Sequence, residues 1–162
     1  MVDCIGSWCY GARVTAPLYG GVILERFRHP RHFGELPGAD AVFEDVNPLC
    51  GDRLRIELRL GADRDVETVR FQGDACAIAT ASADLLAEMV EGRSVSDALG
   101  LERDALLTAL GAPIRASRLG CVSLPLAVLR GALGAGTERI AAVRGSSAGP
   151  APGPSGVVGE RQ

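Results

Sequence analysis

The stretch Arg53-Leu54-Arg55-Ile56-Glu57-Leu58-Arg59-Leu60 alternates four charged side chains strictly with four aliphatic ones. Successive side chains of a β-strand point to opposite faces, so this period of two predicts a strand with one face in the core and one in water. The residues that follow, 61–65 (GADRD), are typical of a turn, and residues 66–71 then carry apolar Val69 and Phe71 on one face. These two segments predict a β-hairpin.

The flanking sequence supplies a third strand and a helical cover. Residues 41–46 are a candidate strand, and three antiparallel strands with a single apolar face need a second layer to bury that face. Helical spacing and end signals occur at residues 18–28, from an Asp74 cap to about residue 91, at 94–99, at 102–110 and from about Ser123 to a stop at Gly134. The prediction is therefore an α+β fold, a small three-stranded antiparallel sheet covered by helices.

Length and composition favour one folded domain. A chain of 162 residues with 47% hydrophobic content can bury a single core. Residues 1–17 show no clear periodicity and are predicted to be a disordered arm. Residues 18–140 are predicted to form the domain. The tail at 141–162, rich in Gly, Pro and Ser, is predicted to be disordered because it cannot bury enough apolar surface to fold.

Charge and cysteine content restrict the functional classes. A net charge of −3 gives no reason to expect nucleic acid or an anionic membrane as partner, and favours a protein partner. All 17 basic residues are arginine, which excludes chemistry by a lysine amine. Five cysteines, without a secretory signal, indicate a reduced, cytoplasmic protein. No apolar run is expected to reach the roughly 18 residues that span a bilayer.

Three cysteines and one aspartate carry the strongest chemical signal. Cys50 and Asp52 flank Gly51 in the loop before the alternating strand, and a glycine there can turn both side chains toward one point. Cys76 and Cys121 lie at predicted helix starts, where free N–H groups and the partial positive charge favour a thiolate. Their separation is unlike the C-x-x-C pairs of zinc fingers, so the fold must bring them together.

This donor set indicates a soft-metal site. Three thiolates with one carboxylate suit zinc, or ferrous iron together with sulfide. The other two cysteines, Cys4 and Cys9, lie in the predicted arm and are expected to be incidental. The sequence contains no Ser-His-Asp signature and no Gly-rich phosphate loop that would favour a different chemistry.

Three segments closely resemble the iron–sulfur cluster assembly scaffolds of the IscU, SufU and NifU N-terminal type. They are residues 29–34 (HPRHFG), 47–52 (NPLCGD) and 71–82 (FQGDACAIATAS). The resemblance extends from about residue 18 to 133, and is more specific around Cys50 and Cys76 than around Cys121. It implies that the first segment, with His29 and His32, is structural or faces a partner.

The resemblance also implies a function. Residues matching Cys50, Asp52, Cys76 and Cys121 would hold zinc or a nascent [2Fe–2S] cluster, with sulfur received as persulfide from a cysteine desulfurase. The first hypothesis is a cluster assembly scaffold that passes its cluster to apo iron–sulfur proteins, as a monomer or a homodimer, with Asp52 as the exchangeable ligand. The alternative is a zinc-dependent sulfurtransferase in which Cys50 accepts the persulfide. A third hypothesis is a structural zinc module.

Two departures leave the subtype open. The IscU branch typically has a histidine just before the third cysteine and a Leu-Pro-Pro-Val-Lys segment upstream, but this chain has Gly120 and residues 115–118 (RASR) there. The short interval between Cys76 and Cys121 resembles IscU. In contrast, Arg118 and the Leu-Pro pair at 124–125 resemble SufU.

Overall fold

The computed structural model describes residues 20–146 of the chain, with side chains described as far as residue 138. The predicted arm at 1–17, including Cys4 and Cys9, and residues 147–162 of the predicted tail lie outside this range. The elements in chain order are α1 (Gly21–Arg28), β1 (Ala41–Val46), β2 (Arg53–Leu60), β3 (Val66–Asp74), α2 (Ala77–Val90), α3 (Val95–Leu99), α4 (Arg103–Leu110), a 3₁₀ turn (Ala116–Arg118) and α5 (Leu119–Ser146).

The sheet has the order β1-β2-β3, and both pairs of strands are antiparallel. The alternating strand β2 lies in the centre, as its pattern requires, and Leu54, Ile56 and Leu58 are buried on one face. Helix α5 packs on β1 and β2, while α2 packs on β3 and against α5. The predicted α+β architecture is confirmed, and its core lies between the sheet and these two helices.

The opposite face of β2 is not entirely in water. Glu57 is only 5% exposed, although its strand position alternates with the core residues. Its Oε2 accepts a hydrogen bond from the backbone N–H of Leu36 at 2.7 Å, and its Oε1 accepts one from Arg55 Nε at 2.8 Å. The segment between α1 and β1 therefore covers this part of the sheet, which the local alternation could not predict.

The junction between β3 and α2 differs from the prediction. Asp74 was the expected helix cap, but it is the last residue of β3 and pairs with Arg53, while Cys76 is the N-cap of α2. Gly73 permits the longer strand, because a Cβ there would lie 2.1 Å from the carbonyl oxygen of Arg53. The extension fixes the position of Cys76 relative to the end of β2.

Helix α5 is longer than predicted at both ends. It begins at Leu119 instead of about Ser123, so Cys121 lies inside its first turn, and it continues past Gly134 to Ser146, into the predicted tail. Gly136 lies close to the sheet, where an added Cβ would be 2.8 Å from the side chain of Ala41. Packing on the sheet accounts for a helix that continues through residues with poor helix propensity.

Residues 116–138 are also long and apolar enough, by length and composition, to cross a membrane, contrary to the expectation from the sequence. The most apolar stretch is 56% buried inside the fold. Its side chains at Val122, Leu129 and Leu133 are fully buried against neighbouring elements. This burial is that of a core helix, and core helices satisfy the same criteria of length and composition.

A buried carboxylate attaches α1 and the segment after it to α2. Asp84 of α2 has no exposed surface, and it accepts hydrogen bonds from Arg26 Nη1 at 2.8 Å and from the backbone N–H groups of Arg31 and His32 at 2.7 and 2.9 Å. Its Oδ1 also lies 3.1 Å from His32 Nδ1. Burial acts to raise the pKa of Asp84, but the hydrogen bonds from Arg26 and His32 outweigh it and hold that pKa below its ordinary value. His32 therefore helps to attach this segment to α2.

Candidate metal centre

The loop between β1 and β2, residues 47–52, is called here the Cys50 loop. It is closed by two backbone hydrogen bonds of 2.8 Å, from the N–H of Asn47 to the carbonyl of Asp52 and from the N–H of Gly51 to the carbonyl of Asn47. Gly51 has a φ of 75°, in the left-handed region that favours glycine. The tight turn brings Cys50 and Asp52 to the same corner of the molecule, as the glycine between them predicted.

Cys121 approaches this loop from α5. It is 1% exposed, and its Sγ lies 3.9 Å from Sγ of the exposed Cys50. One ligand atom from each of Cys50, Asp52 and Cys121 lies within 4.8 Å of the other two. Residues that are 71 positions apart in the chain therefore converge on a volume suited to one metal ion.

Cys76 completes the arrangement from the N-terminus of α2. Its backbone N–H donates a hydrogen bond of 3.0 Å to Oδ1 of Asp52. Its thiol also interacts with the carboxylate of Asp52 and with the thiol of Cys121, although Cys76 is not part of the three-atom group. The structure thus places one ligand atom from each of Cys50, Asp52 and Cys121 within 4.8 Å of the other two, and it places Cys76 beside them through its backbone bond to Asp52.

The two carboxylate oxygens of Asp52 differ: Oδ1 accepts the bond from the Cys76 N–H, and Oδ2 accepts no bond from the described residues. Asp52 is 7% exposed, and its Oδ2 is buried. Burial acts to raise the pKa of Asp52, but hydrogen bonds from the Cys50 thiol and from the Cys76 backbone N–H outweigh it and lower that pKa. An ionised, buried carboxylate with one free oxygen next to thiols fits a metal ligand, because an unpaired buried polar atom is otherwise costly.

Cys121 differs from the expectation that a helix start would stabilise its thiolate. Burial, together with the neighbouring Cys76, raises the pKa of the Cys121 thiol well above its ordinary value. Its low exposure removes the water that would solvate a thiolate, and this cost exceeds the benefit of the helix N-terminus. In the metal-free protein Cys121 is therefore a neutral thiol that must lose its proton to bind a metal.

The distance between the thiols agrees with a single tetrahedral ion. Zinc–thiolate bonds of about 2.3 Å place two tetrahedral sulfur ligands about 3.8 Å apart. The separation of 3.9 Å between Cys50 and Cys121 is close to this value. No other group of potential metal ligands was found within the described residues, and this group contains no histidine. The donors present therefore fit zinc or a ferrous ion.

Two features of the structure were missed at the level of sequence. Asp84 is one of two charged residues, with Glu88, in the mostly apolar segment 77–90, and its place among buried residues was a signal for a buried ion pair. Asn47 belongs to the quoted NPLCGD segment, but nothing local showed that its side chain would contact the Cys50 loop and the start of α5. Asp84 acts through contacts that are distant in sequence, whereas Asn47 makes one local bond to Leu49 and one distant contact near Gly120.

A three-stranded antiparallel sheet with a helical cover and a corner of three thiols and one carboxylate defines a small α+β domain for metal or metal–sulfur chemistry. The profile of the NifU-like N-terminal domain matches residues 18–142. The chain therefore belongs to this family, the iron–sulfur cluster assembly scaffold family of IscU, SufU and NifU. The family resemblance drawn from the sequence is confirmed.

Individual relatives support the assignment. The chain is 33% identical over 116 residues to the iron–sulfur cluster assembly scaffold protein IscU 1 of Archaeoglobus fulgidus, covering 72% of this chain and 74% of that protein. It is 36% identical over 87 residues to the zinc-dependent sulfurtransferase SufU of Bacillus subtilis, covering 53% and 57%. It is 38% identical over 96 residues to the bifunctional protein NifU/MnmA of Rubrobacter xylanophilus, but spans only 20% of that protein's length.

A solved structure shows the same fold. The protein FiSufU from Fervidobacterium islandicum, which is named for the SUF system, superimposes with a TM-score of 0.63 at 23% identity. The match covers 71% of this chain and 96% of that one. At this level of identity the comparison supports the fold alone.

Proposed function

We propose that this chain is a scaffold on which iron and sulfide are assembled into a [2Fe–2S] cluster for transfer to apo-proteins, with sulfur supplied by a cysteine desulfurase. The ligands are Cys50, Cys76, Cys121 and Asp52. The observation that carries the proposal is their convergence at one corner from the Cys50 loop, the start of α2 and the first turn of α5. Thiolates bind iron strongly, and a carboxylate oxygen is a weaker ligand for it.

The four ligands differ in their freedom to exchange. Asp52 was expected to be the exchangeable ligand, but it is buried and its Oδ1 is fixed by the backbone N–H of Cys76. Cys50 is exposed and lies next to Gly51, in a loop. This contrast favours Cys50 as the ligand that meets incoming sulfur and leaves the metal first.

The proposed sulfur transfer is a thiol–persulfide exchange. The Cys50 thiolate attacks the outer sulfur of a persulfide on the desulfurase, so that one S–S bond forms on Cys50 while the S–S bond on the donor breaks. The donor cysteine leaves as a thiolate, and no external oxidant or reductant is needed. The exposure of Cys50 provides the access that such an exchange requires.

A second candidate is a zinc-dependent sulfurtransferase that carries sulfur without building a cluster. The spacing of 3.9 Å between Cys50 and Cys121 favours it, because that distance suits two sulfur ligands of one tetrahedral ion. The relative in Bacillus subtilis is named for this activity. In this candidate, loss of Cys50 from zinc would free the thiolate that accepts the persulfide.

Elemental analysis with a visible absorption spectrum would separate these candidates. The full chain would be purified anaerobically and measured before and after incubation with ferrous iron, cysteine, a cysteine desulfurase and a thiol reductant, which supplies the electrons that convert persulfide sulfur to sulfide. The scaffold predicts charge-transfer bands with about two iron and two sulfide per chain or per dimer. Tightly held zinc with faster desulfurase turnover, and no cluster, would favour the sulfurtransferase. Zinc without either activity would leave a structural site and refute both.

A further inference from the structure

We propose that Asn47 is a positioning residue: its side chain holds the Cys50 loop in the shape that binds metal, and Gly120 leaves the space that the Asn47 amide needs. The inference rests on the metal centre proposed above. It concerns a side chain that is not itself a ligand, in a loop that carries two of the four ligands. It assigns to this asparagine a role that affects metal affinity and the accessibility of Cys50.

The side chain of Asn47 makes a bond that the backbone cannot replace. Its Oδ1 accepts a hydrogen bond of 3.0 Å from the backbone N–H of Leu49. The two backbone bonds that close the loop, to Asp52 and from Gly51, use the N–H and carbonyl groups that almost any residue would offer. The side-chain bond is an Asx turn, which sets the direction of the chain one residue before Cys50.

Apart from Asp52, which the Cys76 N–H anchors at one end, the Cys50 loop has few other contacts that hold it. Leu49 is 92% exposed, Cys50 is exposed, and Gly51 adopts a φ of 75°. No buried apolar side chain of the loop packs into the core to fix its shape, so hydrogen bonds set the position of the Cys50 thiol. Groups that orient metal ligands in this way commonly change metal affinity by about 10- to 100-fold when removed.

The Asn47 side chain also connects the loop to the helix that carries Cys121. A Cβ on Gly120 would lie 2.9 Å from Nδ2 of Asn47, so the amide rests against the first turn of α5. Any side chain at position 120 would push the amide away from that turn. The IscU branch typically has histidine next to the third cysteine. The glycine that this chain has at position 120 leaves room for the Asn47 amide.

The test compares Asn47→Ala, Asn47→Asp and Gly120→Ala with the wild-type chain and with Asp45→Ala as the matched control. Asp45 lies outside the loop and also accepts a local backbone bond, with its Oδ1 2.7 Å from the backbone N of Val46. Asn47→Asp keeps the acceptor for the Leu49 N–H. Each reduced, metal-free full-length protein would be titrated with Co²⁺ alone, and the thiolate-to-cobalt bands would be recorded.

For Asn47→Ala we expect about a 10- to 100-fold loss of Co²⁺ affinity and a weaker thiolate-to-cobalt spectrum. Asn47→Asp should recover most of the affinity, and Asp45→Ala should behave like wild type. Gly120→Ala should weaken binding several-fold, because only the flexible end of the Asn47 side chain has to move. Combined with Asn47→Ala, it should add nothing further, since both changes would remove the same contact. Unchanged affinity and spectrum in Asn47→Ala would overturn the inference.

A second measurement, made without metal, tests the role of Asn47 independently of the proposed function. The rate of Cys50 alkylation by iodoacetamide, mapped by mass spectrometry in the presence of chelator, reports the loop alone. Asn47→Ala should change that rate several-fold while Asp45→Ala leaves it unchanged, and equal rates would overturn the positioning role. A wild-type chain that binds no Co²⁺ would refute the metal centre, and the alkylation rates would still decide the role of Asn47 in shaping the loop.

Discussion

Replacing Asp84 with asparagine tests whether a single buried carboxylate holds α1 and the following segment on α2. The carboxylate has no exposed surface, and it serves Arg26 and His32 as well as the backbone N–H of Arg31. Asparagine keeps one oxygen as an acceptor but loses the charge and turns an N–H₂ group toward donors. Arg26 retains an ion pair with Glu88, so the loss should be smaller than that of a fully broken buried pair.

We expect Asp84→Asn to lower the free energy of unfolding by about 2–4 kcal/mol, from the loss of charge-assisted bonds in a buried site. Urea unfolding of the reduced, metal-free protein, followed by circular dichroism, would measure the change without a contribution from metal binding. Asp104→Asn is the matched control, because Asp104 is exposed on α4, and it should change stability by less than about 0.5 kcal/mol.

The pH dependence gives a second readout for the same substitution. Hydrogen bonds from Arg26 and His32 hold the pKa of Asp84 below its ordinary value in the folded protein, against the opposing effect of burial. A carboxyl group with a depressed pKa contributes stability above its unfolded pKa and loses it as pH falls through the folded pKa. The part of the difference between wild type and Asp84→Asn that comes from the Asp84 charge should thus be present at pH 7 and shrink as the pH falls below about 4. A difference under about 0.5 kcal/mol at pH 7, equal to that of the control, would refute the reasoning.

Three further substitutions have defined outcomes. Gly73→Ala should destabilise the fold by more than about 2 kcal/mol in urea unfolding, because its Cβ would lie 2.1 Å from the backbone oxygen of Arg53; a change below about 0.5 kcal/mol would contradict this. Ser82→Ala should be neutral or stabilising, since the buried Ser82 hydroxyl has no hydrogen-bond partner among the described residues, and a clear loss of stability would show that a partner exists. Cys50→Ser and Cys121→Ser should both weaken zinc binding, measured by chelator competition, but only the substitution of buried Cys121 should destabilise the metal-free protein, by about 1–3 kcal/mol. Equal metal-free stabilities would contradict the assigned difference in burial.

Several elements could be predicted because their signals lie within a few residues. The strict alternation of β2 predicted its bounds as Arg53–Leu60, and the turn after it predicted the pairing with β3. The three cysteines and Asp52 were identifiable from residue type and from the resemblance around Cys50 and Cys76. Residue type and side-chain periodicity depend only on residues that are neighbours along the chain, so they can be recognised from the sequence without a structure.

Element ends and burial were less predictable, since they depend on contacts between distant segments. Gly134 is a reasonable helix stop by propensity, but α5 continues past it and packs on the sheet at Gly136. Asp74 is a reasonable cap, but pairing with Arg53 keeps it in β3. In both cases tertiary contacts outweigh a preference of at most about 1 kcal/mol per residue.

For the candidate site, the sequence by itself determined which side chains are candidate donors and where a glycine turns the Cys50 loop. Only the tertiary structure decided how these donors differ. It buries Cys121 and raises the pKa of its thiol, anchors Asp52 on the Cys76 N–H, and leaves Cys50 exposed. The physical reason is that exposure, electrostatic environment and the distance between thiols are set by α2, α5 and the sheet packing together, whereas the identity of a donor atom belongs to its residue alone.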